Sequence, residues 1–568
     1  MSACRYVGRV GGLAIALGIG AAVYTGAAVA SADSSSPTGS VSAGPATGRA
    51  SHSAPARAQA PRAGKPAAAQ ATRRAAAAPR ALSVAAVKSA APATTAVSSA
   101  AALTQPEIMG PSGVPIPSQN YVDKVMEYYV RPGGDPTAAP LPQVIFTPEG
   151  LYPITGVKSL PLNTSVNQGI EILSDTLKAL PDGTETTVFG YSQSAIISGL
   201  LQSGYTVGTG ATAVTYTVPD NIKSTVDFVL VGNELNPNGG FLSRFTTTAY
   251  APALDLPSLG IPFYEATPAD AYPTTNYTLE YDGFADFPRY PLNLLADLNA
   301  GLGLALVHTK YAPGPNCRTY CTTIFQVASA IPLPVSQTST AQSYYFMPTE
   351  DLPLLAPLRA IPIIGNPIAD LVQPVLKAIV DLGYGDAAHG YVSGGQPDAN
   401  VLVPFGLFPQ VDPLEVATRI FNGIGQGITD FINDFGPSGS IVQELSSIQL
   451  PNPASLTLPT PDQIIPTLQR LVTGVANAIS YSAASFYSGL LPTADVVNAM
   501  LTALPGYSVS LFLGGVNQMI NGDLIGGLVN AIGLPIAANV GLVTTASLVV
   551  ALSWAQAIAG IVGINLSA

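Results

Sequence analysis

Thr186-Thr187-Val188-Phe189-Gly190-Tyr191-Ser192-Gln193-Ser194-Ala195 runs from an apolar, β-branched stretch ending at Gly190 into a helix-compatible stretch beginning at Ser194. A strand, a tight turn and a helix in that order put Ser192 at the apex of a bend. A serine presented in this way sits on a strained turn, and the residues two before and two after it must be small for strand and helix to approach. Gly190 and Ser194 meet that demand, although Ser194 stands where a second glycine is usual. The competing reading is an ordinary strand-to-helix turn in which Ser192 or Ser194 caps the helix.

Outward from this bend, short apolar runs alternate with helical patterns. Gln143 to Phe146, Thr186 to Phe189, Val226 to Val231 and Tyr277 to Tyr281 read as strands; Ser165 to Leu180, Ser194 to Gln202 and Pro291 to Val307 read as helices. Such alternation predicts βαβ units and a mainly parallel sheet flanked by helices, an α/β fold of the α/β-hydrolase type. Leu352 to Asp386 is Pro-punctuated and Leu/Ile-rich, suited to a lid or a last helical layer. After residue 391 long Leu, Ile, Val, Ala and Gly stretches with amphipathic periodicity predict a mainly helical region. Its last stretch, Leu524 to Ala568, holds no charged residue, and Val540 to Ile564 approaches the length of a membrane span, tempered by Pro535 and several Gly and Ser. Packing of that region against the envelope or the preceding domain is the favoured reading.

A serine hydroxyl needs an adjacent base, and histidine titrates near neutrality. Of the three histidines, His52 lies in a low-complexity tail, His308 follows the sheet-type elements, and His389 lies beyond them in a loop-like segment. In α/β-hydrolases the order along the chain is Ser, acid, His. Ser192, the stretch Tyr277 to Asp286, and His308 obey it. Two acids compete, Asp282 at the strand end and Asp286 four residues on. The longer loop excursion favours Asp286 as the residue holding the imidazole, with Asp282 bracing the loop. The oxyanion hole should combine the N–H of Gln193 with a donor after an early strand, for which Thr147 is the candidate.

The bulk numbers frame this site. In 568 residues only 10% are charged while 47% are hydrophobic, and Gly and Pro number 55 and 51, which suits an envelope or extracellular protein. The net charge of -11 hides a basic leading segment, and the acidic body that follows lacks the footprint of a nucleic-acid binder. Residues 1–32 combine Arg5 and Arg9, an apolar run Val10 to Val29, and Ala30-Ser31-Ala32, the form of a cleavable secretory signal, with an uncleaved anchor as the alternative. Residues 33–105, rich in Ala, Ser, Pro, Thr, Gly and Arg, predict a disordered stalk; 106–390 would form the sheet domain and 391–568 the helical region. Cys4 would leave with the signal, so Cys317 and Cys321 are expected to form a local disulfide rather than a metal site.

With these residues in hand, the middle of the chain resembles the PE-PPE domain of mycobacteria, a serine α/β-hydrolase group related to cutinases. The stretches that carry the resemblance are Phe146-Thr147-Pro148-Glu149, Phe189 through Ser194, Val231-Gly232-Asn233 with Asn238-Gly239-Gly240, and Tyr281-Asp282 through Asp286-Phe287-Pro288 to His308. Leu352-Pro353-Leu354-Leu355 and Asp381-Leu382-Gly383-Tyr384-Gly385 extend it over roughly 140–390. Many relatives carry a helical PE or PPE module at the N-terminus, where this chain has the signal-like segment and the stalk.

The resemblance implies esterase or lipase activity on acyl esters or glycolipids through an acyl-enzyme on Ser192. Relatives that build acylated trehalose lipids make acyl transfer the runner-up. No cofactor or metal is needed for either. A non-catalytic envelope protein that binds lipid through its apolar C-terminal region is the third reading, opposed by the apparently intact Ser, Asp and His set.

Overall fold

A computed structural model describes residues 104–246, 249–336, 341–386, 398–447 and 464–561. The signal-like segment, nearly all of the stalk, His52 and His389 lie outside the described residues.

Seven strands form the main sheet: β1 Gln105–Ile108, β2 Gln143–Val144, β3 Thr186–Tyr191, β4 Val226–Val231, β5 Thr274–Leu279, β6 Ile331–Pro332 and β7 Gln342–Met347. Their spatial order is β6-β7-β5-β4-β3-β1-β2, parallel throughout except for β6, which pairs antiparallel with β7 at the edge. The chain thus winds outward in both directions from the β1/β3 neighbours. In open α/β sheets ligands bind beyond the carboxyl ends of the strands at such a switch point. β3 is buried along its whole length, as its continuous apolar reading requires for a strand covered on both faces.

Around the sheet lie α1 Gln119–Val125, α2 Leu162–Lys178, α3 Gln193–Ser203, α4 Leu294–Leu306 and α5 Gly365–Asp381. α2 buries Val166, Gly169, Ile170, Leu173 and Leu177, one stripe at helical spacing. Gly169 lets α2 close on α3, because a Cβ there would lie 2.3 Å from Ile197 Cδ1. Of the two readings for Leu352 to Asp386, α5 realises the helical layer: Ala369 and Val380 share a buried cluster with Ala296 of α4. β1 begins one residue inside the segment read as stalk, and its fully buried Ile108 sits in the core. β7, interior and paired in parallel with β5, carried too little apolar alternation to be read.

The C-terminal part comprises α6 Pro413–Asn433 and the long pair α7 Ile464–Ile520 and α8 Leu524–Ile561. Two segments, Val472–Ile520 and Leu524–Ala559, are long and apolar enough to cross a membrane. They also share a core with the sheet domain. Leu504, Tyr507, Leu511, Leu534, Ala537 and Leu542 belong to the same buried cluster as Val188, Phe228 and Phe245. Gly301 of α4 leaves room for Leu548 of α8, to which an added Cβ would come within 2.1 Å.

Candidate active site

β3 and β4 end level with each other, Tyr191 beside Val231, and β5 runs two residues further, from Tyr277 beside Val231 to Leu279. The residues just past those ends carry the site.

After β3 the chain turns through Ser192 with φ 58 and ψ -122, a conformation that L residues avoid unless their surroundings enforce it. The sheet holds the incoming side, since the Ser192 N–H donates to Val231 O at 3.1 Å. Gly190 permits the turn, because a Cβ there would sit 2.7 Å from Ser194 O. Ser194, in the place of the usual glycine, closes the bend with its hydroxyl. Its Oγ accepts from Tyr191 N at 2.7 Å and donates to Tyr191 O at 3.0 Å.

His308 follows α4 on a single 3-10 turn, and its backbone carbonyl accepts from the Tyr191 hydroxyl. Its Nε2 lies 2.8 Å from Ser192 Oγ, and its Nδ1 lies 2.8 and 2.9 Å from the two carboxylate oxygens of Asp282. Asp282 also accepts from the Tyr311 hydroxyl at 2.7 Å and from the N–H groups of Phe284 and Ala285 at 2.9 and 3.3 Å. Tyr311 is itself fixed by accepting from Leu279 N at 2.8 Å. Gly232, with φ +56, leaves space for this imidazole; an added Cβ would meet Tyr311 at 2.9 Å and His308 Cε1 at 3.1 Å.

The sequence preference between the acids was Asp286, and the structure turns Asp282 to the imidazole instead. Tyr281, with φ 66, bends the chain sharply after β5. Gly303 brings α4 so close to that bend that an added Cβ would lie 1.9 Å from Tyr281 O, so no long excursion is needed. Asp286 instead accepts from Tyr281 N at 2.9 Å, and burial holds its carboxyl well above the usual range, opposed by that hydrogen bond.

Gln193, first residue of α3, has one of the N–H groups that a helix leaves without an internal partner. Its side chain is anchored, donating to Gly150 O at 2.7 Å and accepting from Ser165 Oγ at 2.6 Å. Thr147 is buried, and its hydroxyl donates to Glu149 Oε1 at 2.5 Å.

Two further buried acids, Glu234 and Glu149, have no role assigned from the sequence. Glu234 Oε1 lies 3.2 Å from Ser192 Oγ, and burial raises its carboxyl to about 7 against the opposing effects of His308 and the serine hydrogen bond. Glu149 is raised to about 8 by burial, opposed by Thr147 and reinforced by Glu234. The one available signal was position, since Gly232-Asn233-Glu234 follows an apolar strand as Gly190-Tyr191-Ser192 ends one. His308 is driven down by burial, but Asp282, its hydrogen bond and Glu234 together lift it above its ordinary value.

Elsewhere, Cys317 and Cys321 are joined by a disulfide. Among the described residues no group of three or more His, Cys, Asp or Glu could hold a metal ion.

Comparison with known proteins adds the family. Residues 138–385 match the PE-PPE domain. Over 466 residues the chain is 44% identical to the PPE family protein PPE28 of Mycobacterium tuberculosis, covering 79% of this chain and 65% of that one. It is 40% identical over 324 residues to Esterase PE16 of the same organism, 57% of this chain and 55% of that one. Diacyltrehalose acyltransferase Chp2, also of Mycobacterium tuberculosis, is 30% identical over 162 residues, 26% of this chain and 40% of that one. The chain thus spans from about two fifths to about two thirds of these relatives' lengths. No solved structure matches. The parallel sheet, the serine at its switch point and the match over 138–385 together identify the centre of this chain as a PE-PPE domain, in a protein similar to mycobacterial PE and PPE proteins.

Proposed function

We propose that this chain is a secreted serine esterase that cleaves acyl esters through an acyl-enzyme on Ser192. The observation that carries the reading is the unbroken hydrogen-bonded line from Ser192 Oγ through His308 to Asp282. In this mechanism Ser192 Oγ bonds to the ester carbonyl carbon while its proton passes to His308 Nε2. Asp282, supplied with donors on both oxygens, orients the ring and stabilises the imidazolium. The oxyanion is met by the N–H of Gln193, with the backbone N–H of Thr147 as the second donor. The C–O bond to the alcohol then breaks, and His308 returns the proton to the departing alkoxide. Water, giving its proton to His308, attacks the acyl-enzyme and releases the acid, and Ser192 recovers the proton.

One observation favours acyl transfer as the second reading: Ser192 is only 1% exposed, and a dry acyl-enzyme can be attacked by an alcohol before water reaches it. Similarity to Esterase PE16 and to Diacyltrehalose acyltransferase Chp2 supports acyl chemistry of these two kinds. Export rests on the form of residues 1–32, with the Cys317–Cys321 disulfide in keeping with an oxidising compartment.

A fluorophosphonate probe tests the proposal. Wild-type protein should label at Ser192, and Ser192→Ala or His308→Ala should abolish labelling while the circular dichroism spectrum is retained. A folded wild-type protein that neither labels nor hydrolyses p-nitrophenyl butyrate would end the enzymatic reading. Incubation with an acylated trehalose donor separates the two chemistries, since disproportionation to more heavily acylated species marks a transferase.

A further inference from the structure

Between the sheet domain and the α7–α8 hairpin lies a cavity of about 80 Å³. Pro153, Leu256 and Leu259 line it on one side, and Ala499, Met500 and Ala546 from the hairpin on the other. Its lining is apolar apart from Thr545, a composition that takes hydrocarbon and rejects water.

Two separate lines of contact connect it to the reacting groups. From His308 the path runs over Phe284, whose ring centroid is 4.7 Å from the imidazole, to Phe241 at 6.4 Å from Phe284, and Phe241 is part of the cavity wall. From the nucleophile the path runs through Gln193, whose side chain holds Gly150 O at 2.7 Å, along the chain to Pro153 and Ile154 in the same wall. The loops that flank Ser192 and His308 therefore both continue into this one apolar space. The hairpin is fastened at its rim: the Tyr152 hydroxyl donates to Asp495 at 2.5 Å, and Ser258 Oγ donates to the Asp495 carbonyl at 2.9 Å.

We propose that the C-terminal hairpin is half of the acyl-chain site, so that the hydrocarbon tail of the ester lies between α7–α8 and the sheet domain while its carbonyl meets Ser192. This rests on the esterase reading. The Phe241 wall stands at most about 11 Å from the imidazole, so the cavity holds carbons well down the tail rather than those beside the carbonyl, and the remainder of a long chain follows the seam between hairpin and domain. The region beyond the matched 138–385 thereby acquires a role in choosing the substrate.

Two variants at the hairpin wall test it. Ala546→Trp should fill the cavity, and Met500→Ala should enlarge it. In the first, kcat/KM for p-nitrophenyl laurate should fall at least about tenfold while the acetate ester and fluorophosphonate labelling stay within about twofold; in the second, preference should move toward the longer ester. Binding of cis-parinaric acid to Ser192→Ala protein reads the cavity without chemistry, and adding Ala546→Trp should weaken it at least about tenfold. Labelling with no change in chain-length preference in either variant overturns the acyl site alone. Absence of labelling together with parinarate binding that Ala546→Trp abolishes keeps the lipid site and removes the esterase reading.

Discussion

Glu234 makes the sharpest quantitative prediction. Its carboxyl oxygen lies 3.2 Å from Ser192 Oγ and the His308 Nε2 lies 2.8 Å from the same atom, so carboxylate and ring nitrogen are no more than about 6 Å apart. At an effective dielectric of about 20, a unit charge at that distance favours the imidazolium by roughly 3 kcal/mol, or about 2 pK units. Glu234 itself is raised to about 7 by burial, so it is only partly ionised near neutrality, and about 1 unit of the effect should be visible. Glu234→Gln keeps the shape and removes the charge. His308 must be neutral to accept the serine proton, so the acid limb of kcat/KM should move to lower pH by about 1 unit. The assay is a pH profile with p-nitrophenyl butyrate for both proteins, with fluorophosphonate labelling as the check on fold. A limb that stays within about 0.2 unit, or moves upward, refutes the electrostatic coupling.

Other substitutions separate neighbouring roles. Asp282→Asn should lower kcat by about 10⁴-fold in a protein that still melts cooperatively, because the imidazole loses the partner that sets its tautomer. Asp286→Asn, at a carboxyl that burial pushes up and that bonds to Tyr281 N rather than to the imidazole, should keep kcat within about tenfold; equal losses in both variants would contradict the assignment. Gly232→Ala places a Cβ 3.1 Å from His308 Cε1 at a positive φ, and a displaced ring should cost on the order of 10²-fold in kcat/KM. Asp297 is buried with neither carboxylate oxygen hydrogen-bonded, and burial raises it to about 8. Because the folded value exceeds the unfolded one, the stability it contributes is complete below the ordinary carboxylate range and is lost as pH rises toward 8. Asp297→Asn should therefore raise Tm by a few degrees at pH 8 and leave it nearly unchanged near pH 4; a uniform shift would contradict the linkage.

What the sequence made readable was local. The strand, bend and helix around Ser192 are written in ten consecutive residues, and scarcity left few histidines to consider. The pairing of His308 with one of two acids was not local. It depends on how closely Gly283 and Gly303 let the post-β5 loop approach α4, and neighbouring residues along the chain do not encode that separation. β1 was hidden because Gln-Pro-Glu-Ile carries one aliphatic side chain, yet Glu107 in it is fully buried and pushed to about 7 by burial. A buried, uncharged glutamic acid looks in sequence like a solvated one, which also explains why Glu149 and Glu234 were passed over.

Those hidden acids also show how one pocket holds several carboxyl groups without accumulating charge. Asp282 receives donors from His308, Tyr311, Phe284 and Ala285, so neither of its oxygens is left bare in a dry site. Glu149 has the Thr147 hydroxyl on one oxygen and nothing on the other, so burial wins and it remains protonated at neutral pH. Glu234 has the shared Ser192 hydroxyl and the nearby imidazole, both opposing burial, and it is raised less far than Glu149, to about 7. The imidazolium formed during each proton transfer therefore meets Asp282 on one ring nitrogen and, on the serine side, Glu234, whose ionisation is favoured as the ring becomes positive.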